Sequence, residues 1–388
     1  MRTFESETGQ RIYPVWWLPT NCYCLPSCCN IASTTALKQG HVTGIDAASL
    51  AAVYAMEVRP GDHVLDLCCA PGAKFNALAE AMNYTGTLTG VDISCKRLQG
   101  VVKVTRRLKT SERGAFQPNF RCRLIHGDGT SFCMPPPKVV NSAGFVVANM
   151  NEVTSFPTKR EARKSKKRKL DGDRSCKNDC LLDSAVDNRW KNSDLSTKRS
   201  HDSGDHGMIS ESELYDRVLV DAECTHDGSQ KHIEHFQEKK GQCYWSHVTE
   251  SHVQTMANAQ SNLLENGFKL LRENGTLIYS TCSLTEAQNE EVIRSFLDKT
   301  PSASLSSLCL EKFALSNWEL FKASKYKSID PPSSCIVHCP TSYDSVPSFP
   351  WKYSTLAGVE NVKKSMARFE PSQSHTGGLF VCKVTKNS

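Results

Sequence analysis

The run HVLDLCCAPGAKFNALAEAM, residues 63–82, decides the fold. Its first five residues form the short apolar stretch of a strand buried on both faces. A Pro-Gly turn follows, and KFNALAEAM (74–82) spaces its apolar side chains at helical intervals. Strand, glycine-bearing turn and helix in that order open a βαβ unit.

The pattern repeats outward from there. TLTGVDI (87–93) predicts a second strand, CKRLQGVVKVTRRL (95–108) a helix and RCRLIHGD (121–128) a third strand. YDRVLVDA (215–222) and GTLIYSTC (275–282) predict the fourth and fifth. Between them Val253, Met256, Ala257, Gln260, Leu263, Leu264 and Leu271 mark one face of a long helix. AQNEEVIRSFL (287–297) predicts another helix, and GGLFVCKV (377–384) a closing strand. Alternating strands and helices call for an α/β fold with a parallel sheet. Residues 149–213 interrupt it with an Asp-, Ser-, Lys- and Asn-rich stretch lacking apolar periodicity, expected to be a disordered insertion between the third and fourth strands. Cutting the insertion there leaves one domain.

Composition narrows the class. With 388 residues and 39% hydrophobic content, the chain has apolar material for one large core, which excludes a wholly disordered or fibrous protein. No stretch approaches the roughly 18 uninterrupted apolar residues of a membrane span. The opening MRTFESETGQ lacks the apolar region of a signal peptide, so a soluble, intracellular protein is expected. Its 18 cysteines then read as mostly buried reduced thiols. Cys22, Cys24, Cys28 and Cys29 contain no C-x-x-C pair and have no downstream partner pair at finger spacing, so no metal is expected there. The net charge of +6 is concentrated in KREARKSKKRK (159–169), with eight basic residues and one acidic; the rest of the chain carries −1. That run suits a nuclear-import or nucleic-acid tract, or a solvated linker.

In a doubly wound sheet, ligands bind beyond the carboxyl ends of the strands. The first strand ends in DLCCAPGAK (66–74), where Gly72 permits close backbone approach; the run is neither G-x-G-x-x-G nor a P-loop. Asp92, twenty positions beyond Gly72, suits a carboxylate accepting ribose hydroxyls, and Asp128 could accept from an adenine amino group. Together these features fit S-adenosylmethionine better than NAD. The fourth and fifth strands end in Asp221-Ala-Glu-Cys224 and Ser280-Thr-Cys282-Ser283. Two thiols at neighbouring strand tips, one beside a carboxylate, are what covalent pyrimidine methylation requires: a thiolate adding to carbon 6 activates carbon 5. Small buried cysteines would also fit these positions. A redox pair fits poorly, because neither thiol sits in C-x-x-C.

Seven strings in order carry a family resemblance: GIDAAS (44–49), VLDLCCAPGAK (64–74), GVDIS (90–94), HGDGT (126–130), DRVLVDAEC (216–224), GTLIYSTCSLTEAQNEEVI (275–293) and RFEPSQSHTGGLFVCKV (368–384). The chain resembles the NOP/Sun family of S-adenosylmethionine-dependent RNA cytosine-5 methyltransferases. The resemblance implies the class I methyltransferase fold, Rossmann-like and mostly parallel with an antiparallel last strand, as a domain over 44–388 behind an arm of residues 1–43. It implies a cofactor loop of Cys68, Cys69, Ala70, Pro71, Gly72, Ala73 and Lys74, with Lys74 also leaning toward the substrate. Asp92 would hold the ribose, Arg97 support that site and Asp128 contact the adenine. Asp221 would face both cofactor and target base, Cys282 would be the nucleophile, and Cys224 would enable product release. Arg368, His375, Gly377 and Gly378 would line the wall near the base.

The implied partner is RNA, an unstacked cytosine of rRNA or tRNA, in the nucleus or nucleolus, with the cytoplasm as the alternative. Forty-three residues are too few for a separate RNA-binding module, so substrate choice is expected to come from the catalytic domain, the insertion or a protein partner. Tyr13, Trp16 and Trp17 in the arm could stack on bases, but covering the edge of the core is the favoured role.

Several positions depart from the family pattern. Glu223 replaces the usual proline before Cys224; Thr225-His226-Asp227-Gly228 stands for Ser-Gly-x-Gly; Ala73 follows Gly72 where a glycine pair is usual; and Gln288 replaces a glutamate. A carboxylate beside Cys224 is expected to raise its thiol pKa and slow product release. A catalytically weak relative serving as an RNA-binding scaffold is therefore the alternative. A DNA cytosine-5 methyltransferase is disfavoured, because that class takes its nucleophile from a Pro-Cys at the fourth strand.

Overall fold

The computed structural model describes residues 2–19, 21–25, 29–110, 117, 119–137, 144–149, 214–246, 248–323, 346–356 and 364–388. Its main sheet contains β1 (His63–Asp66), β2 (Thr87–Asp92), β3 (Arg121–His126), β4 (Gly144–Asn149) and β5 (Tyr215–Asp221). It continues with β6 (Leu271–Thr281), β7 (Ala303–Leu305), β8 (Lys352–Ser354), β9 (Met366–Phe369) and β10 (Leu379–Lys386). Across the sheet the order is β8-β9-β10-β6-β5-β1-β2-β3-β4, with β7 pairing to β10. All pairs from β6 to β4 are parallel, and β10 runs antiparallel to β6. This is the class I methyltransferase arrangement, with its antiparallel last strand.

The unbroken apolar runs are explained by two cores, one on each face of the sheet. Val64, Leu219, Ile278 and Val381 point into one, while their neighbours Leu65, Val218, Val220, Leu277, Tyr279, Phe380 and Cys382 point into the other. Between two dry faces a polar side chain in mid-strand has to find its partner inside the sheet, as Arg123 Nε does in donating to Thr89 Oγ1 at 2.9 Å. Helices α1 (Ala47–Ala55), α2 (Ala73–Ala81), α3 (Cys95–Thr110) and α7 (Leu310–Ala323) close the first core. Helices α5 (Glu250–Lys269) and α6 (Glu290–Lys299) close the second. A further helix, α4 (Gln230–Lys240), buries none of its residues. Among the described residues no helix is long and apolar enough to cross a membrane.

Several elements differ from expectation. Residues 144–149, unassigned from sequence, form the edge strand β4 on β3, so the interruption begins after it, between β4 and β5. The expected insertion itself lies, from residue 150 onward, outside the described residues. Leu271 opens β6 instead of ending the long helix, which stops at Lys269, and β6 starts four residues before the expected GTLIYSTC. In the arm, Trp16 and Trp17 are fully buried in the first core, edge-on to Trp318 at 5.5 Å and Trp351 at 5.7 Å. Buried this deeply, they cover the core and present no face for stacking on bases.

The topology fixes where a ligand can sit. From β1 the chain moves outward through β2, β3 and β4, then returns to β5 on the other side of β1. The connections leaving β1 and β5 part in opposite directions and open a crevice at the strand tips.

Candidate active site

Residues 68–74 cross the tip of β1 and are tied down on both sides. Cys68 N–H donates to Asp66 Oδ1 (3.2 Å), Cys69 N–H to the Val91 carbonyl (2.9 Å) and Ala70 N–H to Asp92 Oδ2 (3.0 Å). Arg97 Nη2 donates to the Ala70 carbonyl at 2.7 Å and so ties α3 to this loop. Cys69 faces the core beneath β2, where a Cβ on Gly90 would lie 2.9 Å from its Sγ. Pro71 is exposed at the crest, and Ala73 begins α2. Gly72 caps α2 at φ +102, and a Cβ there would meet Val101 Cγ1 at 3.0 Å. Backbone conformation and space both require glycine at that point.

Asp92 is buried, with Oδ1 accepting from Ser94 N–H (2.8 Å) and Oδ2 from Ala70 N–H; each oxygen keeps a lone pair. Asp128 is exposed and accepts from Thr130 N–H (2.9 Å) and Oγ1 (2.8 Å). Between them Ile93 stands 62% exposed, an apolar platform at the tip of β2 that sequence reading passed over. Carboxyls also surround the loop's thiol: burial, then Asp66, Asp221 and Asp92, push Cys68 well above the ordinary cysteine value. A crevice with an apolar platform, ribose-type acceptors and a negative field fits a cationic sulfonium nucleoside, so the residues present suit S-adenosylmethionine.

The other half of the site sits at the tips of β5 and β6. Asp221 accepts from Ser280 Oγ at Oδ1 (2.7 Å) and from Lys74 Nζ at Oδ2 (2.8 Å). Burial works against the Lys74 ammonium, but the Asp221 charge and hydrogen bond outweigh it and hold Lys74 above its usual value. Cys224 Sγ and Cys282 Sγ lie 3.3 Å apart. The two strand-tip thiols therefore meet, although 58 residues separate them in sequence.

A third side chain completes this cluster. His226 Nδ1 is 2.9 Å from Cys282 Sγ and 3.7 Å from Cys224 Sγ. Cys282 is lowered to about 6, by the Cys224 hydrogen bond first, against burial, and then by the hydrogen bond and charge of His226. For His226, burial opposes the imidazolium, but the hydrogen bond and charge of Cys282, with Glu223 behind them, hold it above the ordinary histidine value. Cys224 is raised by its hydrogen bond to Cys282 and by burial. The expected rise at Cys224 is therefore present with a different cause. Glu223 is exposed and exerts its charge on His226, while its carbonyl accepts from Gln260 Nε2 at 2.8 Å.

Among the described residues, Cys224, His226 and Cys282 are also the set whose donor atoms, all within 4.8 Å, could hold a metal. Tetrahedral zinc would separate sulfur from nitrogen by roughly 3.6 Å and sulfur from sulfur by roughly 3.8 Å, given its bond lengths. The pairs at 2.9 and 3.3 Å are tighter than that and fit proton sharing. Of the four arm cysteines, Cys28 lies outside the described residues, and burial, with Glu80 beside it, pushes the Cys22 thiol up to about 12.

Buried polar side chains hold the two tips together. Gln288, fully buried, accepts from Thr225 N–H (3.1 Å) and donates to Thr225 Oγ1, Ser283 Oγ and Thr285 Oγ1 (2.8–2.9 Å). Gly228 N–H donates to the Cys282 carbonyl (2.9 Å), and Gly378 N–H to the Gly228 carbonyl (2.8 Å). Gly377 N–H donates to Asp46 Oδ2 (2.7 Å), the carboxylate that also caps α1. His375 ends a short helical turn at φ +50. Arg368 makes a two-pronged contact with Glu290 and donates to the Leu284 carbonyl.

Comparison with known proteins agrees with this architecture. The family model described as 16S rRNA methyltransferase RsmB/F matches residues 53–122 and 192–385, more than half of the chain. The chain belongs to that family, within the NOP/Sun methyltransferases. It is similar to rRNA (cytosine-C(5))-methyltransferase NOP2C of Arabidopsis thaliana, 27% identical over 277 residues, covering 66% of this chain and 43% of the relative. It is also similar to the multisite-specific tRNA:(cytosine-C(5))-methyltransferase of Saccharomyces cerevisiae, 23% identical over 354 residues, covering 88% of this chain and 38% of the relative. The chain thus spans about two fifths of the length of these curated relatives. A solved methyltransferase homolog from Pyrococcus horikoshii shares the fold, with a TM-score of 0.51 at 19% identity over 97% of this chain and 79% of that one.

Proposed function

We propose that this chain methylates carbon 5 of a cytosine in RNA, with S-adenosylmethionine as methyl donor. The observation that carries the reading is the 3.3 Å approach of Cys282 and Cys224 beside the Lys74–Asp221 pair, at the edge of the cofactor-type crevice. Asp92 and the loop Cys68–Lys74 hold the donor's ribose and methionine ends, while Asp128 and Ile93 hold its adenine. Bound there, S-adenosylmethionine supplies an electrophilic methyl group.

The protein's own residues prepare the base to receive it. Cys282 adds through sulfur to carbon 6, and electron density moves onto carbon 5 and, through carbon 4, onto ring nitrogen 3. Lys74 and Asp221, fixed to each other at 2.8 Å, meet the polar edge of the ring. Once carbon 5 is methylated, loss of its proton re-forms the double bond and expels the Cys282 thiolate. Cys224 assists that step.

The target cytosine has to leave its stack to reach these thiols, which favours loops and single strands of rRNA or tRNA. The basic run 159–169, outside the described residues, favours a nuclear location and leaves room for a protein partner in substrate choice. The test is transfer of labelled methyl from S-adenosylmethionine to total cellular RNA, followed by nucleoside digestion. Label in 5-methylcytidine is expected; label in another nucleoside, or in DNA in preference to RNA, contradicts the proposal.

A further inference from the structure

His226 occupies a position where the family pattern has glycine, and the backbone shows why glycine is usual there: φ is +55. A non-glycine residue in the left-handed region carries strain. Here that strain delivers an imidazole to the nucleophile, with Nδ1 2.9 Å from Cys282 Sγ and 3.7 Å from Cys224 Sγ. The ring is also braced. It stacks on His232 of α4 with centroids 4.3 Å apart and planes 8° apart, and His232 Nδ1 shares a hydrogen with Ser229 Oγ at 2.9 Å.

We propose that His226 is a catalytic residue of this chain, a single imidazole that takes the protons of both thiols in turn. The inference rests on the reaction proposed above and deepens it. In the resting site the Cys282 S–H proton sits on His226 Nδ1, and the S–H electron pair stays on sulfur as the attacking thiolate. When Cys282 becomes a thioether, the anion that held the imidazolium disappears, and His226, which is only partly buried, gives its proton to solvent. Neutral His226 then takes the Cys224 proton, and the Cys224 thiolate removes the proton on carbon 5. That C–H pair re-forms the carbon 5–carbon 6 double bond, the carbon–sulfur bond breaks, and Cys282 leaves as a thiolate beside the imidazolium. One proton has gone to solvent, which is the one proton that replacing C–H by C–CH3 from a sulfonium donor must release.

The groups facing this histidine are mixed in sign. Cys282 and Glu223 favour its protonation, Arg97 of α3 opposes it, Cys224 Sγ lies 3.7 Å from its Nδ1, and His232 lies against its ring. Asp221 opposes the charge on Cys282, and Cys282 in turn favours the Lys74 ammonium.

The test compares wild type with His226→Gly, which restores the family residue and relieves the left-handed strain, and with His226→Asn, which also tolerates that conformation. The pH dependence of Cys282 alkylation by iodoacetamide, read by peptide mass spectrometry without RNA, needs no methyl transfer. In wild type the rate should inflect near 6; in both variants the inflection should move up toward the ordinary thiol value, roughly 8.5. Methylation at pH 7 should fall at least ~10²-fold, the usual scale of acid–base assistance, and added imidazole should restore part of it in His226→Gly. An unchanged alkylation profile in both variants, or methylation by His226→Gly at the wild-type rate, overturns the proposal. With the profile moved as expected, a wild type that methylates no RNA contradicts the reaction proposed above and not the thiol–imidazole coupling.

Discussion

Lys74 Nζ lies 2.8 Å from Asp221 Oδ2 and joins the two halves of the site, the loop after β1 and the tip of β5. The pair is mostly shielded, with 12% and 26% of the two side chains exposed. Removing the cation with Lys74→Met leaves Asp221 beside Cys282 without its counter-charge, which disfavours the Cys282 thiolate. Methyl transfer should fall by at least tenfold, and stability by about 1–2 kcal/mol, intermediate between an exposed and a buried pair. Initial-rate assays and urea unfolding of the same variant check both numbers.

Gly378 should tolerate no side chain. A Cβ there would lie 2.7 Å from Gly228 Cα and the Gly228 carbonyl oxygen, and Gly228 is itself hydrogen-bonded to the Cys282 carbonyl. Because the obstacle is backbone, Gly378→Ala should cost ~1–3 kcal/mol and shift the loop that positions Cys282. Thermal unfolding with methylation kinetics will show a loss of rate beyond what the unfolded fraction accounts for.

Gln288 can be tested against the family's own residue. Its amide contacts three hydroxyls that can either donate or accept, so Gln288→Glu keeps most partners by rotating those hydrogens, whereas Gln288→Leu strands them. The leucine variant should lose ~2–4 kcal/mol in denaturant titration, the glutamate variant clearly less.

Activity should depend on pH with a definite sign. Cys282 is held down at about 6, so its thiolate is present above that pH and is protonated as pH falls through it. Single-turnover methylation should rise about tenfold per unit up to pH 6, then level off by pH 7, well below the roughly 8.5 of an ordinary thiol. A profile still climbing between 7.5 and 8.5 would contradict the assignment of an activated thiolate.

Much of the fold was legible because its information is local. The strand-turn-helix at 63–82 and the acids at strand tips follow from periodicity and from where α/β sheets bind ligands. Strand β4 was missed because six residues ahead of a polar stretch leave too short a window to establish a period. The site was less readable. His226 registered only as a departure from glycine, because its meaning depends on a thiol 56 residues downstream. Ile93 carries no signal in sequence either, since an isoleucine ending a strand normally goes inside. Glu223 looked as if it acted on its neighbour Cys224, yet its side chain points out and its charge reaches His226 instead.

The central claim, a two-thiol covalent reaction on RNA, is tested most directly by trapping. Cys224→Ala should add to its target through Cys282 and fail to release it, giving an RNA–protein adduct that survives heat and detergent on a denaturing gel when incubated with S-adenosylmethionine and total cellular RNA. The adduct should vanish in Cys224→Ala/Cys282→Ala. An adduct that persists without Cys282, or a Cys224→Ala enzyme that turns over at the wild-type rate with no adduct, would contradict the account.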